Sequence, residues 1–175
     1  MKIGVISDSH GHIENLRRAI RALKEMGAEV ICHLGDDYDD MEAVRDILEG
    51  VEVVQVPGVF SPLYRESSVP NRVIKVWGGK RFLLSHTKER HENDLPQDPD
   101  PQQVLARGDA DALLFGHTHI PQVERSQGIL LLNPGHLKDE DKKGYPPTFA
   151  LVEVQKGEIE AKVFDLYSLK ELLSG

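Results

Sequence analysis

The stretch "MKIGVISDSHGH", residues 1–12, decides the fold class because a short apolar segment runs directly into polar side chains that can bind metals. Residues 2–7 are rich in β-branched side chains, which is typical of a strand buried on both faces. Asp8 and His10 follow at the point where this strand ends. The stretch has no small-residue cleavage site of the kind found in signal peptides, so we interpret it as a first strand.

The segments that follow alternate between helix and strand patterns. Residues 14–26 repeat apolar side chains at helical spacing and stop at Gly27, which predicts a helix. Residues 29–36 repeat the strand pattern, residues 41–50 repeat the helix pattern, and residues 51–58 give a third strand. This alternation predicts parallel strands joined by crossovers.

The second half of the chain has closely spaced strand candidates joined by glycine-containing turns, which indicates mostly hairpins. The candidates are residues 72–77, 80–86, 111–117, 128–133, 147–155 and 158–166. Two stretches rich in proline or charge, 96–103 and 138–147, are expected to be loops. A parallel first half and a hairpin-rich second half fit an α/β fold in which two sheets pack face to face with helices outside.

Composition excludes several classes of protein. A length of 175 residues fits one domain, residues 1–175, with a proper core. A formal net charge of -8 argues against a broad nucleic-acid surface, which needs clustered Lys and Arg. No apolar run approaches the roughly 20 residues that span a bilayer, so we expect no membrane contact and a cytoplasmic location. The single cysteine, Cys32, is expected to be a buried structural residue.

Candidate metal ligands stand at the ends of several predicted strands, where loops of α/β proteins converge. They are Asp8, His10, Asp36, His86, His117 and His119. Asp8 and His10 are two residues apart, as are His117 and His119, so in extended backbone each pair would point the same way and could chelate. Each motif alone is weak, but their joint occurrence indicates one site. Carboxylate and imidazole ligands together suit Mn, Fe, Co, Ni and Zn better than Mg or Ca.

These ordered blocks, with the "NPG" turn at 133–135, resemble the calcineurin-like metallophosphoesterases, in particular the compact YfcE-like phosphodiesterase branch with its archaeal members. The resemblance covers nearly the whole chain. It implies a four-layer αββα sandwich and a metal-dependent phosphodiesterase or other phosphoesterase that acts on a small phosphate ester.

The resemblance also implies how the ligands are shared between two metals. Asp8, His10 and His119 would hold one metal, His86 and His117 the other, and Asp36 would bridge both. Asp36 and His117 are therefore the expected catalytic residues. Two metals roughly 3.5–4 Å apart would hold a bridging hydroxide and stabilise the charge of an in-line displacement.

One block of the family pattern is altered. Where the family has Gly-Asn-His/Cys-Asp after the third strand, this chain has Gly58 followed by Val59, Phe60 and Ser61. The asparagine ligand of the second metal and the histidine near the leaving group are therefore missing. The side chains that could replace the missing asparagine as a ligand are Ser61, Asp37, Asp39, His12 and His91. Thr87 also stands where the family has glycine after the strand-end histidine.

The missing asparagine keeps a second class of function open. A non-catalytic or weakly active metal-binding scaffold would resemble the retromer subunit Vps29, which shares the fold. Retention of every Asp and His position favours the enzyme. Residues 61–71 and 88–101 are expected to flank the substrate, and Arg65 and Lys88 are expected to be ordinary surface cations. We also expect a homodimer formed through apolar residues of the hairpin-rich half.

Overall fold

The computed structural model describes residues 1–175, which form two β-sheets and three short to medium helices. The strands are β1 Lys2–Ile6, β2 Val30–His33, β3 Glu52–Gln55, β4 Arg72–Trp77, β5 Lys80–Ser85, β6 Ala112–Leu114, β7 Gln122–Ser126, β8 Ile129–Asn133, β9 Thr148–Gln155, β10 Glu158–Asp165 and β11 Glu171–Ser174. The helices are α1 Ile13–Glu25, α2 Asp40–Ala43 and α3 Pro101–Ala106, and 3-10 turns cover Arg45–Ile47 and Pro62–Arg65. None of the helices has the length and apolar character needed to cross a bilayer.

Both sheets are mixed. The first has the order β11-β10-β9-β1-β2-β3, in which β1, β2 and β3 are parallel and β9 pairs antiparallel with β1. The second has the order β4-β5-β6-β8-β7, in which β5, β6 and β8 are parallel. The parallel first half is thus confirmed. The expected hairpins of the second half are confirmed for β4–β5, β7–β8 and β9–β10. The expectation is wrong for β6, which pairs parallel with β5 and β8, because the chain between β5 and β6 makes a crossover through α3.

Three apolar layers separate four layers of secondary structure. Ile3 of β1 lies in the large cluster between the two sheets. Ile31 of β2 faces the other way and packs with Leu23 of α1. Leu83 of β5 packs with Val104 of α3 on the outer face of the second sheet. The alternation of side chains along each strand therefore buries both faces of each sheet, and the predicted αββα sandwich with mixed sheets is confirmed.

The first predicted helix is confirmed as α1, but the predicted helix over 41–50 is wrong. The segment forms only α2 and a 3-10 turn, because side chains of α1 take its carbonyl groups. Arg17 donates to the carbonyl of Ala43 at 2.8 Å, and Lys24 donates to those of Ile47 and Glu49 at 2.8 and 2.9 Å. These bonds replace the backbone bonds that a longer helix would make.

Three elements were not predicted. Helix α3 begins inside the stretch 96–103 that was expected to be a loop, and Asp100 caps it by accepting hydrogen bonds from the backbone of Gln102 and Gln103. Pro101 occupies the first turn, where a missing N–H costs nothing. Strands β7 and β11 lie at sheet edges and are largely exposed, so their sequences lack the apolar alternation that identifies a strand.

Candidate metal centre

The parallel strands of both sheets end at one side of the molecule, and the loops beyond them carry the predicted ligands. Asp8 follows β1, Asp36 follows β2, His86 follows β5, and His117 and His119 follow β6. The loops are tied together at this point. The N–H of Asp8 donates to the carbonyl of Gly35 within the first sheet, and the N–H of His117, from the second sheet, donates to Oδ2 of Asp8 at 3.0 Å. All six predicted side chains, including His10, lie in one cluster.

The first group of side chains is the tighter one. Asp8, His10, Asp36 and His119 each offer one ligand atom, and these four atoms lie within 4.8 Å of one another. Nε2 of His10 is 3.1 Å from Nε2 of His119 and 3.4 Å from Oδ2 of Asp36. Nε2 of His119 is 3.3 Å from Oδ1 of Asp8. Four donor atoms thus surround a volume of the size that one metal ion occupies.

The second group shares Asp36 with the first. Nε2 of His86 is 3.4 Å from Oδ1 of Asp36, and Nδ1 of His117 is 3.3 Å from Nε2 of His86. Asp36 therefore presents one carboxylate oxygen to each group. Val59 is buried but belongs to none of the three apolar clusters, and it adds no ligand atom.

Groups outside the cluster fix how two of the histidines are protonated. Nδ1 of His86 lies 2.7 Å from the carbonyl oxygen of Leu34, and Nδ1 of His119 lies 2.7 Å from Oδ2 of Asp141. In the neutral form of each ring the proton therefore sits on Nδ1, and the lone pair of Nε2 points into the cluster. Metal-binding histidines commonly have such partners.

The donor set fits a divalent cation on electrostatic grounds. Oδ1 of Asp8 is buried and has no hydrogen-bond partner, and two carboxylates share a small volume. Burial, together with the charge of Asp8, raises the pKa of Asp36. Contact with Asp8, and then with Asp141, raises the pKa of His119 to about 8, so a metal that binds here displaces the Nε2 proton of this ring. Burial and the neighbouring His86 lower the pKa of His117, so it stays neutral and keeps a lone pair for a metal.

The backbone at the cluster differs from the extended geometry that was predicted for the Asp8/His10 and His117/His119 pairs. All four residues have positive φ, at 54°, 47°, 69° and 62°, and Asp36 has φ 55°. The prediction of extended pairs is wrong because the chain must turn sharply after each strand to bring alternate side chains to one point. Left-handed backbone is uncommon outside glycine, is most accessible to Asp, Asn and His, and concentrates at functional sites.

Two glycines without left-handed backbone make room for the carboxylates. A Cβ on Gly58 would collide with Oδ1 of Asp36. A Cβ on Gly116 would collide with the hydroxyl of Ser7 and lie 2.7 Å from Oδ2 of Asp8. Gly58 is thus explained by close approach to Asp36, although the residues that follow it differ from the family pattern.

A Ser-His-Asp grouping beside the cluster is structural. The hydroxyl of Ser9 donates to Oδ2 of Asp40 at 2.7 Å and lies 3.0 Å from Nε2 of His33. The histidine and the carboxylate therefore contact the same hydroxyl, whereas in a catalytic triad the histidine stands between the other two. Ser9 and His33 are fully buried, and burial lowers the pKa of His33 to about 4. The grouping ties the loop of Asp8 to that of Asp36.

The candidates to replace the missing asparagine occupy different places. The hydroxyl of Ser61 is engaged as a cap that accepts the N–H of Leu63, and Nδ1 of His12 lies 3.5 Å from Asp139. Asp39 is exposed, and Oδ2 of Asp37 is 3.7 Å from Nδ1 of His10. Of the five, His91 is the one whose ring packs against a histidine of the second group, at 5.9 Å between ring centroids.

Asp141 was missed by the sequence analysis. It lies in the charged stretch 138–147, and no spacing rule connects it with His119, 22 positions away. Although burial opposes it, hydrogen bonds from His119, from the backbone of Lys143 and from Lys138 hold the pKa of Asp141 well below its usual range. Asp141 therefore stays ionised and orients His119.

The Asp141→Asn variant should bind Mn about 10- to 100-fold more weakly, because an amide no longer favours the required tautomer of His119. Calorimetric titration of the chelator-treated protein with Mn measures this. The exposed neighbour offers a matched control, Glu140→Gln. Equal Mn affinity in Asp141→Asn and the parent would show that the contact does not orient a ligand.

Comparison with known proteins places the chain in a family. The phosphodiesterase MJ0936 of Methanocaldococcus jannaschii is 24% identical over 94% of this chain and 100% of its own length. The structure of the phosphoesterase YfcE of E. coli superposes with a TM-score of 0.71 at 20% identity, covering 100% of this chain and 98% of that one. Vps29 of Entamoeba histolytica complexed with Zn superposes with a TM-score of 0.67 at 20% identity, covering 98% and 96%.

The sequence profile of the calcineurin-like phosphoesterase superfamily domain matches residues 1–157. This match covers most of the chain and includes every strand end that carries a ligand-type side chain. The chain therefore belongs to the calcineurin-like phosphoesterase superfamily, as a metallophosphoesterase whose family uses divalent metals to hydrolyse phosphate esters.

Proposed function

We propose that the protein is a phosphodiesterase that uses two divalent transition metals, from among Mn, Ni, Fe, Co and Zn. Asp8, His10 and His119 would hold the first metal, His86 and His117 would hold the second, and Asp36 would be shared by both. The observation that carries this proposal is the position of the Asp36 carboxylate, with its two oxygens each 3.4 Å from a histidine of a different group.

The residues of the chain favour attack by water over attack by a side chain. Bound metals supply Lewis-acid charge at the phosphoryl group and make water nucleophilic near neutral pH. Cys32 is fully buried in β2, where burial raises the pKa of its thiol, and the hydroxyl of Ser9 is buried and donates to Asp40. Neither can reach a substrate, which favours attack by water.

A cleft of about 550 Å³ adjoins the cluster and favours a phosphodiester over a phosphomonoester. It is lined by His10, Asp36, Asp37, Tyr38, Asp39, Asp40, Phe60, Ser61, Pro62 and Leu63. This lining contains no Lys or Arg. Lys88 instead lies over the ring of Phe115, and Arg65 reaches Asn93, so neither lines the cleft. A diester carries one negative charge where a monoester carries up to two, and it suits an acidic cleft better.

Paired substrates test this choice. With the Mn-loaded protein, kcat/KM for bis(p-nitrophenyl) phosphate should exceed that for p-nitrophenyl phosphate, which has the same leaving group. A higher value for the monoester would identify the protein as a phosphomonoesterase and refute the diester proposal.

The Val59→Asn variant tests whether the second metal is held weakly. An amide oxygen at this position should raise affinity for the second metal about tenfold, which corresponds to about 1.4 kcal/mol. The backbone of Val59 is already fixed, since its carbonyl accepts from Asn93 at 2.9 Å. Activity should rise at limiting metal and change less at saturating metal. Metal content after equilibrium dialysis measures the affinity, and Val59→Leu, which adds no oxygen, is the control.

A metal-binding scaffold of the Vps29 type is the second candidate, and the observation that favours it is Val59, which stands where the family pattern has an asparagine ligand. The two functions differ in a measurable way. A scaffold binds metal at the first group but hydrolyses no phosphate ester with any of the five metals.

We further propose a single cytoplasmic domain that forms a homodimer. Cys32 is unpaired, as is usual in a reducing compartment. Val53 of the edge strand β3 and Ile74 and Val76 of the edge strand β4 are exposed apolar side chains. Light scattering should give twice the chain mass of 19.6 kDa, and Val76→Lys should shift the value toward the monomer. A monomer mass for the parent protein at working concentration would refute the proposed homodimer.

A further inference from the structure

His91 stands at the border of the second ligand group without belonging to it. Its ring meets the ring of His117 edge to face, at 5.9 Å between centroids and an interplanar angle of 75°. The ring of Phe60, which is 72% exposed, meets His91 at 5.8 Å and His117 at 6.2 Å. His91 is partly exposed, so it lies where a substrate bound against His117 would reach it.

Buried polar contacts hold the loop that carries His91. The backbone N–H of His91 donates to Oδ2 of Asp94 at 3.1 Å. Asp94 forms an ion pair with Arg72 at 2.9 Å, in which both side chains are buried, and accepts the hydroxyl of Tyr64 at 2.5 Å. Asn93 donates to the carbonyl of Val59 at 2.9 Å. The position of His91 is therefore set by contacts on both sides of the loop.

One of these contacts fixes which nitrogen of His91 carries the proton. The backbone N–H of Asn93 donates to Nδ1 of His91 at 3.1 Å. Nδ1 therefore presents a lone pair, and in the neutral ring the proton sits on Nε2. Nε2 makes no hydrogen bond within the protein. A ring arranged in this way offers a hydrogen-bond donor and has no free lone pair for a metal, in contrast to His86.

We propose that His91 is a substrate-binding residue, which donates a hydrogen bond from Nε2 to a non-bridging oxygen of the phosphoryl group lying against His117. This inference rests on the proposed phosphoesterase function and adds a residue to the same site. Phe60 stands where the family pattern has a histidine, and its ring cannot donate a hydrogen bond. His91, which packs against Phe60, would supply a donor in its place. A donor held in place before substrate binds is effective toward charge that develops on the phosphoryl oxygens.

Inorganic phosphate is the probe that separates binding from turnover. The full chain is loaded with Mn, and phosphate affinity is measured by calorimetry beside kcat/KM for bis(p-nitrophenyl) phosphate and metal content. His91→Ala should lose about 10- to 100-fold in both phosphate affinity and kcat/KM, the usual range for a hydrogen bond to a charged group. His91→Gln places an amide N–H near the former Nε2 and should recover most of this loss. Metal content should stay that of the parent.

The outcomes distinguish this inference from the function on which it rests. A fall in metal content for His91→Ala would make His91 a ligand and overturn the proposal, as would unchanged phosphate affinity and kcat/KM. Glu92→Gln, an exposed change in the same loop, is the matched control, and an equal loss there would overturn it by assigning the effect to the loop. If the parent shows no turnover but binds phosphate through His91, the inference stands and the phosphoesterase function fails.

Discussion

Asp36→Ala should lower hydrolysis of bis(p-nitrophenyl) phosphate by about a thousandfold or more at saturating Mn. Asp36 is the one side chain that faces both ligand groups, so its removal weakens both metals and separates them. No neighbour replaces it, because the adjacent Asp37 points an oxygen toward the outer nitrogen of His10. Initial rates at several Mn concentrations, together with metal content, measure the effect.

Asp109→Ala, at an exposed position outside the cluster, is the matched control and should retain parental activity. Circular dichroism should show both variants folded, since the side chain of Asp36 belongs to none of the three apolar clusters. Residual activity of Asp36→Ala within tenfold of the parent would contradict the role of a shared ligand.

Asp94→Asn should destabilise the folded protein by about 3–5 kcal/mol, the range for breaking a buried ion pair at one partner. The side chains of Arg72 and Asp94 are 0% and 1% exposed, and the variant leaves the guanidinium with no compensating charge. Tyr64 also loses a charged acceptor. Urea unfolding followed by circular dichroism measures the change in the free energy of unfolding.

The exposed ion pair between Lys162 and Glu171 gives the comparison, and Glu171→Gln should leave stability almost unchanged. Although burial raises it, hydrogen bonds from Tyr64, from the backbone of His91 and from Arg72 lower the pKa of Asp94 overall. Its stabilisation is therefore present above the ordinary pKa of an Asp and is lost as the pH falls through the lower folded value. Equal stability of Asp94→Asn and the parent at pH 7 would show that the pair contributes nothing net.

The elements that could be predicted are those whose apolar pattern directly reflects which of their faces are buried. β1 and β2 read as continuous apolar runs because both faces of the sheet are covered, and α1 carries a regular apolar stripe. The short α2 could not be predicted, because its end depends on Arg17 and Lys24, more than 20 positions earlier in the chain. The start of α3 did carry a signal, an Asp before a Pro, which the surrounding prolines obscured.

The same distinction applies to the candidate site. The six ligand-type residues follow strand ends, so parallel topology alone predicts their convergence. The residues that orient these ligands and their loops do not follow strand ends, so topology does not predict them. Asp141 reaches His119 across 22 positions and Asp94 reaches Arg72 across 22, and both come from loops without regular spacing. The left-handed backbone at Asp8 and His117 is likewise set by tertiary contacts and not by local sequence.

The most direct test of a metal-dependent phosphoesterase at this cluster is the rate of bis(p-nitrophenyl) phosphate hydrolysis as metal is returned to the chelator-treated protein. The rate should be negligible without metal and should rise to saturation with at least one of Mn, Fe, Co, Ni and Zn. Saturation should follow the uptake of metal by the protein. Absence of turnover with all five metals, in protein that has taken up metal, would contradict the phosphoesterase function and favour the metal-binding scaffold.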